Sequence, residues 1–286
     1  YFQWRWKLFL KKLALAVRPS VSIMVPGVRK YSILIKSLFI GIISLCAIVK
    51  LFFLFFILNW SGPSKYTKSG LIDTTAFGDI VNIHINLRNN RIFLSIGKNV
   101  SANIIFDENH NKPCKLNTIF EILINENSNV NIINLNNKSK TTQICNQLYY
   151  IKKNSTLNLF PIEISGKLIK NNYYINLIDS NSSCNYNSIN LLNRDDHIDN
   201  YIQANHQYNY TYSLINQKNI LSQNSTSVFY AKSKIEKNSH NSEAFQNNKN
   251  IMLSDKAVIH SNPQLEIYNN DVKCSHTSTT GEIEDE

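Results

Sequence analysis

Turns led by Asn recur in this chain at a nearly fixed interval, and that interval restricts the fold more than any other feature. Asn99-Val-Ser-Ala-Asn103-Ile, Asn127-Ser-Asn-Val-Asn131-Ile, Asn154-Ser-Thr-Leu-Asn158-Leu and Asn181-Ser-Ser-Cys-Asn185-Tyr begin 28, 27 and 27 residues apart. Each unit is a turn signal followed by a short strand in which Asn alternates with other residues. A period of roughly 20–50 residues is the mark of a solenoid or a propeller. Strand-only units without WD or kelch marks favour a β-helix. Asn suits the turns because it tolerates left-handed geometry and can stack in ladders. Later turn signals, at Asn224, Asn238 and Asp255, come about twice as often. A β-sandwich with Asn-rich turns is the alternative, and the steady spacing selects an all-β solenoid.

Strand-like alternation starts near Ile80, with Val81-Asn82-Ile83-His84-Ile85-Asn86-Leu87 and then Arg91–Ile96. The domain therefore reads as residues 80–286. Residues 61–79 read as a linker, with Gly62-Pro63-Ser64, Gly70 and Gly78 as breakers. Residues 1–60 form a leader of different chemistry. It holds nine basic residues, no acid, and Asn only at Asn59. The remaining chain carries 21 basic and 20 acidic groups, so the net charge of +10 is not a basic face on the folded domain. A nucleic-acid footprint needs such a face, and that class is excluded.

The leader contains the apolar run Leu38–Leu58, interrupted by Lys50, and is read as helical. Such a run is long enough to be a transmembrane candidate. A central Lys would cost about 2.5–3.5 kcal/mol on insertion scales, but Lys50 lies off-centre. The basic residues before the run would hold the N-terminus inside. No A-x-A site follows, so a secretory signal peptide is disfavoured. The chain begins at Tyr1 rather than Met, and the other reading is upstream sequence outside the functional domain.

Routine catalytic signatures are missing. There is no G-x-x-x-x-G-K-[ST], H-E-x-x-H, G-x-S-x-G or H-x-E with C-x-x-C. The five cysteines, at 46, 114, 145, 184 and 274, form no C-x-x-C and no tight disulfide framework. Cys46, Cys114, Cys145 and Cys184 read as packing or turn residues. Asp195-Asp196 reads as a solvated turn, because adjacent strand residues face opposite ways. His84, His110, His240 and His260 have no partner in sequence. Sequons such as Asn154-Ser-Thr and Asn209-Tyr-Thr follow from Asn and Ser abundance. One constellation differs: in Asp271-Val-Lys-Cys274-Ser-His276, Cys and His are two apart and share a face if extended. A thiolate and an imidazole on one face suit Fe or Zn, or a thiol made acidic by an imidazolium.

The surroundings of that pair carry a resemblance. Gln246-Asn-Asn-Lys-Asn-Ile-Met-Leu-Ser254, Asn262-Pro263-Gln-Leu265-Glu266-Ile267 and Asp271-Val-Lys-Cys274-Ser-His276 resemble the SufB/SufD family of iron–sulfur cluster assembly scaffolds, and within it the SufD-type subunit. Leu191-Leu192-Asn193, His197-Ile-Asp199-Asn200, His206 and Val228-Phe229-Tyr-Ala-Lys232 are similar to it as well. The resemblance is specific over about 180–286, extends plausibly from about 80, and leaves out 1–60. It implies a right-handed parallel β-helix, which agrees with the repeat found independently. It further implies a SufB-like partner, a SufC-like ATPase, a cytoplasmic location and a transient iron–sulfur cluster at a subunit interface. In that picture Cys274 offers sulfur ligation or transfer, and His276 a nitrogen ligand.

Departures accompany the resemblance. Thr277-Ser-Thr-Thr-Gly281 stands where the family pattern has G-A-T-V-G, and Thr277 is expected to alter a close backbone approach. Ala231 stands for a Gly. The family continues beyond the position of Glu286 into a helical segment that docks the ATPase, so the chain is expected to be a fragment without it. The resulting expectation is a non-catalytic scaffold subunit that binds no nucleotide itself. The rival is a membrane-anchored extracellular β-solenoid, an adhesin or polysaccharide-binding module using residues 38–58 as its anchor. Deleting residues 1–60 should leave the β-domain folded. Loss of β-rich circular dichroism and of cooperative melting in the truncated chain would show that the leader belongs to the core.

Overall fold

A computed structural model describes residues 20–24, 31–34, 71–74, 79–84 and 89–282 except residue 111. All regular elements in them are strands. They run as β1 (Ser20–Met24), β2 (Tyr31–Leu34), β3 (Leu71–Thr74), β4 (Asp79–His84), β5 (Asn89–Ile96), β6 (Ser101–Asn109), β7 (Cys114–Ile124) and β8 (Asn129–Ile151). Then follow β9 (Thr156–Leu177), β10 (Ser183–Leu192), β11 (His197–His206), β12 (Tyr212–Leu221), β13 (Thr226–Ile235), β14 (Ser242–Met252), β15 (Val258–Ile267) and β16 (Val272–Glu282).

From β4 onward the strands stack in parallel as a two-faced solenoid. One face holds β4, β6, the first halves of β8 and β9, then β10, β12, β14 and β16. The other holds β5, β7, the second halves of β8 and β9, then β11, β13 and β15. β8 and β9 run from one face to the other as unbroken strands, and register shifts at Asn136/Asn137 and Lys138/Thr142 mark the bend. The 27–28-residue period is thus one full coil. Later coils lengthen to 29–31 residues, as their cross-rung hydrogen bonds record.

The Asn-Ser signature has a separate job for each residue. Asn99, Asn127, Asn154 and Asn181 turn one edge with φ of 58°, 58°, 55° and 56°. Asn is among the few residues with a side chain that visit this left-handed region routinely. Their amides form a ladder: Asn127 donates to Asn99 at 3.0 Å, Asn154 to Asn127 at 3.1 Å and Asn181 to Asn154 at 3.1 Å. The following Ser points inward. Ser128 Oγ donates to Gly97 O at 2.8 Å, and Ser155 Oγ to Asn125 O at 2.7 Å, tying each corner to the coil before it. A second ladder lies along the strands, Asn103–Asn131–Asn158–Asn185, at 2.7, 2.8 and 2.9 Å. The opposite edge turns at Arg194 and Gln223, with φ of 55° at each. Asn224 and Asp255 belong to this second edge, while Asn238 lies on the first. Turn signals double in frequency because β8 and β9 pass the second edge without a break.

Alternation sends every other side chain into the lumen. Towards the Asn-Ser edge the lumen is apolar, with Val130, Ile132, Ile151, Leu157, Leu159 and Leu177 fully buried. Each such side chain contributes about 1.5–3 kcal/mol. Tyr173 and Tyr186 meet edge to face, 5.0 Å between ring centroids. Past mid-strand the inward residues turn polar, which bears on the site described below, and a smaller apolar cluster of Ile169, Leu192, Ile198, Leu221 and Ala257 fills the second edge.

Within the leader, the described segments are strands. β1 pairs antiparallel with β2 and with β3, and the Ser-Val-Ser-Ile alternation of β1 suits that pairing. The expected membrane helix over 38–58 lies outside the described residues. Among the described residues no helix is long and apolar enough to cross a membrane. Asn154→Ala should lower stability by about 1–2 kcal/mol, the cost of a left-handed residue without Asn chemistry. Asn154→Gly should lose less, since Gly takes positive φ freely. Urea unfolding midpoints measure both, and equal losses would show that φ does not set the cost.

Candidate functional site

The Cys–His pair lies on β16, the last strand described. Asn269 sets up its entry: buried in the preceding turn, it donates to Lys237 O at 2.7 Å and accepts from the Asp271 N–H at 2.8 Å. β16 then pairs with β14 so that Cys274 sits over Ala244, His276 over Gln246, Ser278 over Asn248 and Thr280 over Asn250. Those four β14 residues are buried lumen residues. Cys274 and His276 therefore share one face, as their spacing predicts, and that face is the inward column. Among the described residues nothing lies on top of them, so Cys274 is only half-buried and His276 is exposed. Burial pushes the Cys274 thiol pKa up, opposed by a hydrogen bond with the Ala244 backbone. On the outward side, Lys273 meets Glu243 at 2.9 Å.

Beneath the pair runs a buried polar column that the sequence reading did not identify. Register stacks Glu108, Asn136, Glu163, Asn190, Asn219, Asn250 and Thr280 in one inward row. Hydrogen bonds continue from Glu163 through Asn171, Asn200, Gln217, Asn219 and Asn250 to Thr280, each 2.6–3.2 Å long. At the far end Lys138 and Glu108 form an ion pair at 2.8 Å, both almost fully buried. Burial works against the Lys138 ammonium, but the Glu108 and Glu163 carboxylates reverse this and its pKa is raised. Burial likewise raises the Glu163 pKa, against the pull of Lys138 and of the Asn136 and Asn171 amides. A cavity of about 10 Å³ lies among Glu108, Asn134, Lys138, Cys145 and Gln147, room for about one water. The available signal was a polar residue at the same inward position of successive coils, as at Asn136 and Glu163.

Other sequence candidates are scattered. Cys145 and Cys184 are buried in the lumen, and burial raises both thiol pKa values. Cys114 Sγ lies 3.3 Å from Thr141 Oγ1. His206 is fully buried between Thr211 and Ser213, 2.8 Å from each, and burial lowers its pKa to about 3. It is a neutral structural residue. Burial also lowers the pKa of His110. His240 lies 3.8 Å from Asp271, and His260 is exposed. The side chain of His84 is outside the described residues. Asp196 corrects the solvated-turn reading: it is buried and accepts from Ser165 Oγ at 2.9 Å, Gly166 N at 3.1 Å and Asn193 N at 3.2 Å. Its carboxylate caps the turn, while Asp195 stays exposed beside Asn224. Among the described residues no three His, Cys, Asp or Glu are grouped so as to hold a metal ion.

The profile of the SUF system FeS cluster assembly SufBD core domain matches residues 81–286. The chain belongs to the SufBD core family. The iron–sulfur cluster assembly protein SufD of Escherichia coli K12 is 28% identical over 123 residues, covering 43% of this chain and 29% of the relative. A SufBD family protein of Synechocystis is 26% identical over 181 residues, covering 62% of this chain and 40% of the relative. The chain thus spans well under half the length of both relatives. The family's SUF-system role and the parallel solenoid agree with the resemblance carried by the motifs around Gln246, Pro263 and Cys274.

Two departures from the family pattern are accommodated locally. Thr277 points outward and donates to Asn247 Oδ1 at 2.7 Å, extending the row Asn187–Asn216–Asn247. Ala231 is fully buried, stacked between Ile202 and Pro263. The thiolate is the reactive form of cysteine, and access limits reaction further. Iodoacetamide at about pH 7.5 should therefore label Cys114 and Cys274 in the native chain and reach Cys145 and Cys184 only after unfolding. Mass spectrometry reads the order, and Cys274 should react more slowly than a free cysteine. Native labelling of Cys145 at the rate of Cys274 would contradict the lumen assignment.

Proposed function

We propose that the chain is a SufD-type scaffold subunit whose open last coil faces a SufB-like subunit, and that Cys274 and His276 act there in building an iron–sulfur cluster. The observation that carries this reading is that Cys274 and His276 stand side by side in the inward column of β16, the first half-buried and the second exposed among the described residues. A cluster is commonly held by four protein ligands, and a cysteine and a histidine supply two of them. In this reading a SufB-like subunit supplies the others.

The chemistry of the two side chains fits the task. Iron and sulfide are cargo here, and the chain contributes ligands and position. The raised pKa keeps Cys274 protonated until a metal displaces the proton, so ligation there releases a proton and strengthens with pH. His276 ligates as the neutral imidazole. ATP hydrolysis belongs to a SufC-like partner, since this sequence has no P-loop. The cytoplasm is the compartment of this reading.

Co-expression with a SufB-like subunit and a SufC-like ATPase should yield a complex that contains this chain. Replacing both residues, Cys274→Ser with His276→Ala, should leave the melting temperature nearly unchanged, because exposed substitutions stay within about 0.5 kcal/mol. Cluster formed on the complex should fall sharply, with His276→Ala alone giving most of the loss. Undiminished cluster formation by the double variant would remove both residues from the site, whatever the family membership.

A further inference from the structure

We infer that Gln246 is a positioning residue, its side-chain carbonyl accepting a hydrogen bond from the imidazole of His276. The inference rests on the reading of His276 as a ligand, and it extends that reading to the rung below.

Gln246 is almost wholly buried and lies directly under His276 in the inward column. Its amide is oriented without ambiguity. Nε2 donates to Gln264 O at 2.9 Å and to Ser233 Oγ at 2.8 Å. A backbone carbonyl only accepts, so nitrogen must face Gln264 and oxygen must face away. That oxygen, Oε1, is buried and has no hydrogen-bond partner. An unpaired buried acceptor is rare in folded proteins and calls for an explanation. One rung above, about 4.8 Å away along the stack, stands an imidazole that makes no hydrogen bond among the described residues. The two lacks are complementary. One ring nitrogen can donate downward to Gln246 while the other keeps its lone pair for a ligand on the open side. Histidines that bind metals commonly have their second nitrogen held in this way, which fixes both tautomer and ring orientation.

Ser233 and Gln264 come from β13 and β15, the opposite face of the solenoid. Gln246 therefore braces the His276 strand against the far wall through one amide. This gives a part in the site to a residue whose sequence motif was otherwise only a family resemblance.

The test is made on the full chain with 15N-labelled histidine, with the His276 signals identified by their loss in His276→Ala. A ring N–H bonded to a buried carbonyl exchanges slowly with water and is visible by NMR, whereas that of an exposed imidazole is not. The wild type should give a His276 ring N–H signal, Gln246→Met should lose it, and Ser233→Ala, which removes an anchor but not the acceptor, should keep it. Ferrous iron binding by the assembled complex should fall about 10–100-fold in Gln246→Met. A missing ring N–H signal in the wild type, a measurement that needs no variant to fold, overturns the inference. So does a signal that persists in a folded Gln246→Met. A signal present in the wild type and lost in Gln246→Met, in a complex where His276 takes no iron, would uphold the hydrogen bond and defeat the scaffold reading instead.

Discussion

Every feature of this fold depends on the parallel register that places each residue over its counterpart one coil away. In a parallel stack the backbone hydrogen bonds alone do not choose between inward and outward faces, and a slip of one residue exchanges them. Here the choice is made at the corners. The Asn of each Asn-Ser turn takes the left-handed conformation and bonds to the Asn above, while the Ser enters the lumen and bonds back to the previous coil. Once a corner is fixed, the parity of the whole strand is fixed with it. Cys274 and His276 face inward because β16 continues the register of β14, whose own corner is the Asn241-Ser242 turn.

The lumen shows what such stacking permits. Buried charges normally need close partners, and an unpaired one is expensive. Stacking supplies partners automatically, because a polar residue repeated in one inward row meets another polar residue on each side. Asn190 donates to Asn219 at 2.7 Å and Asn219 to Asn250 at 2.6 Å, while Asn190 Oδ1 is left without a partner. Lys138 enters the same region where β8 bends, and finds Glu108. The polar half of the lumen is a ladder much like those outside, turned inward.

Different parts of this arrangement were legible to different degrees. The coil length could be read from Asn99, Asn127, Asn154 and Asn181, because one conformational demand recurs at one position in each coil. The pair Cys274 and His276 could be read from a spacing of two and from the motif around it. Which way the pair faces could not, since β16 carries polar residues on both sides: Cys274, His276, Ser278 and Thr280 on one, Lys273, Ser275, Thr277 and Thr279 on the other. Only the neighbour β14 distinguishes them. The burial of Asp196 escaped because its partners, Ser165 and Gly166, lie a coil away in sequence. The polar lumen escaped for a similar reason, since an Asn at an inward position looks like one on the surface when half the strand is Asn.

The terminal rung has a property that no interior rung shares. A residue inside the stack is constrained from above and below, so any change there must suit two neighbours at once. Residues of β16 pair, among the described residues, with β14 on one side only, and Ser278 reaches across to Ser261 of β15 at 2.8 Å. Substitution at this end disturbs half as many contacts, and the cost does not spread, because stability in a stacked array is a sum of nearest-neighbour terms. In a stacked array a rung with one paired neighbour can therefore change its side chains at less cost than one held on both sides.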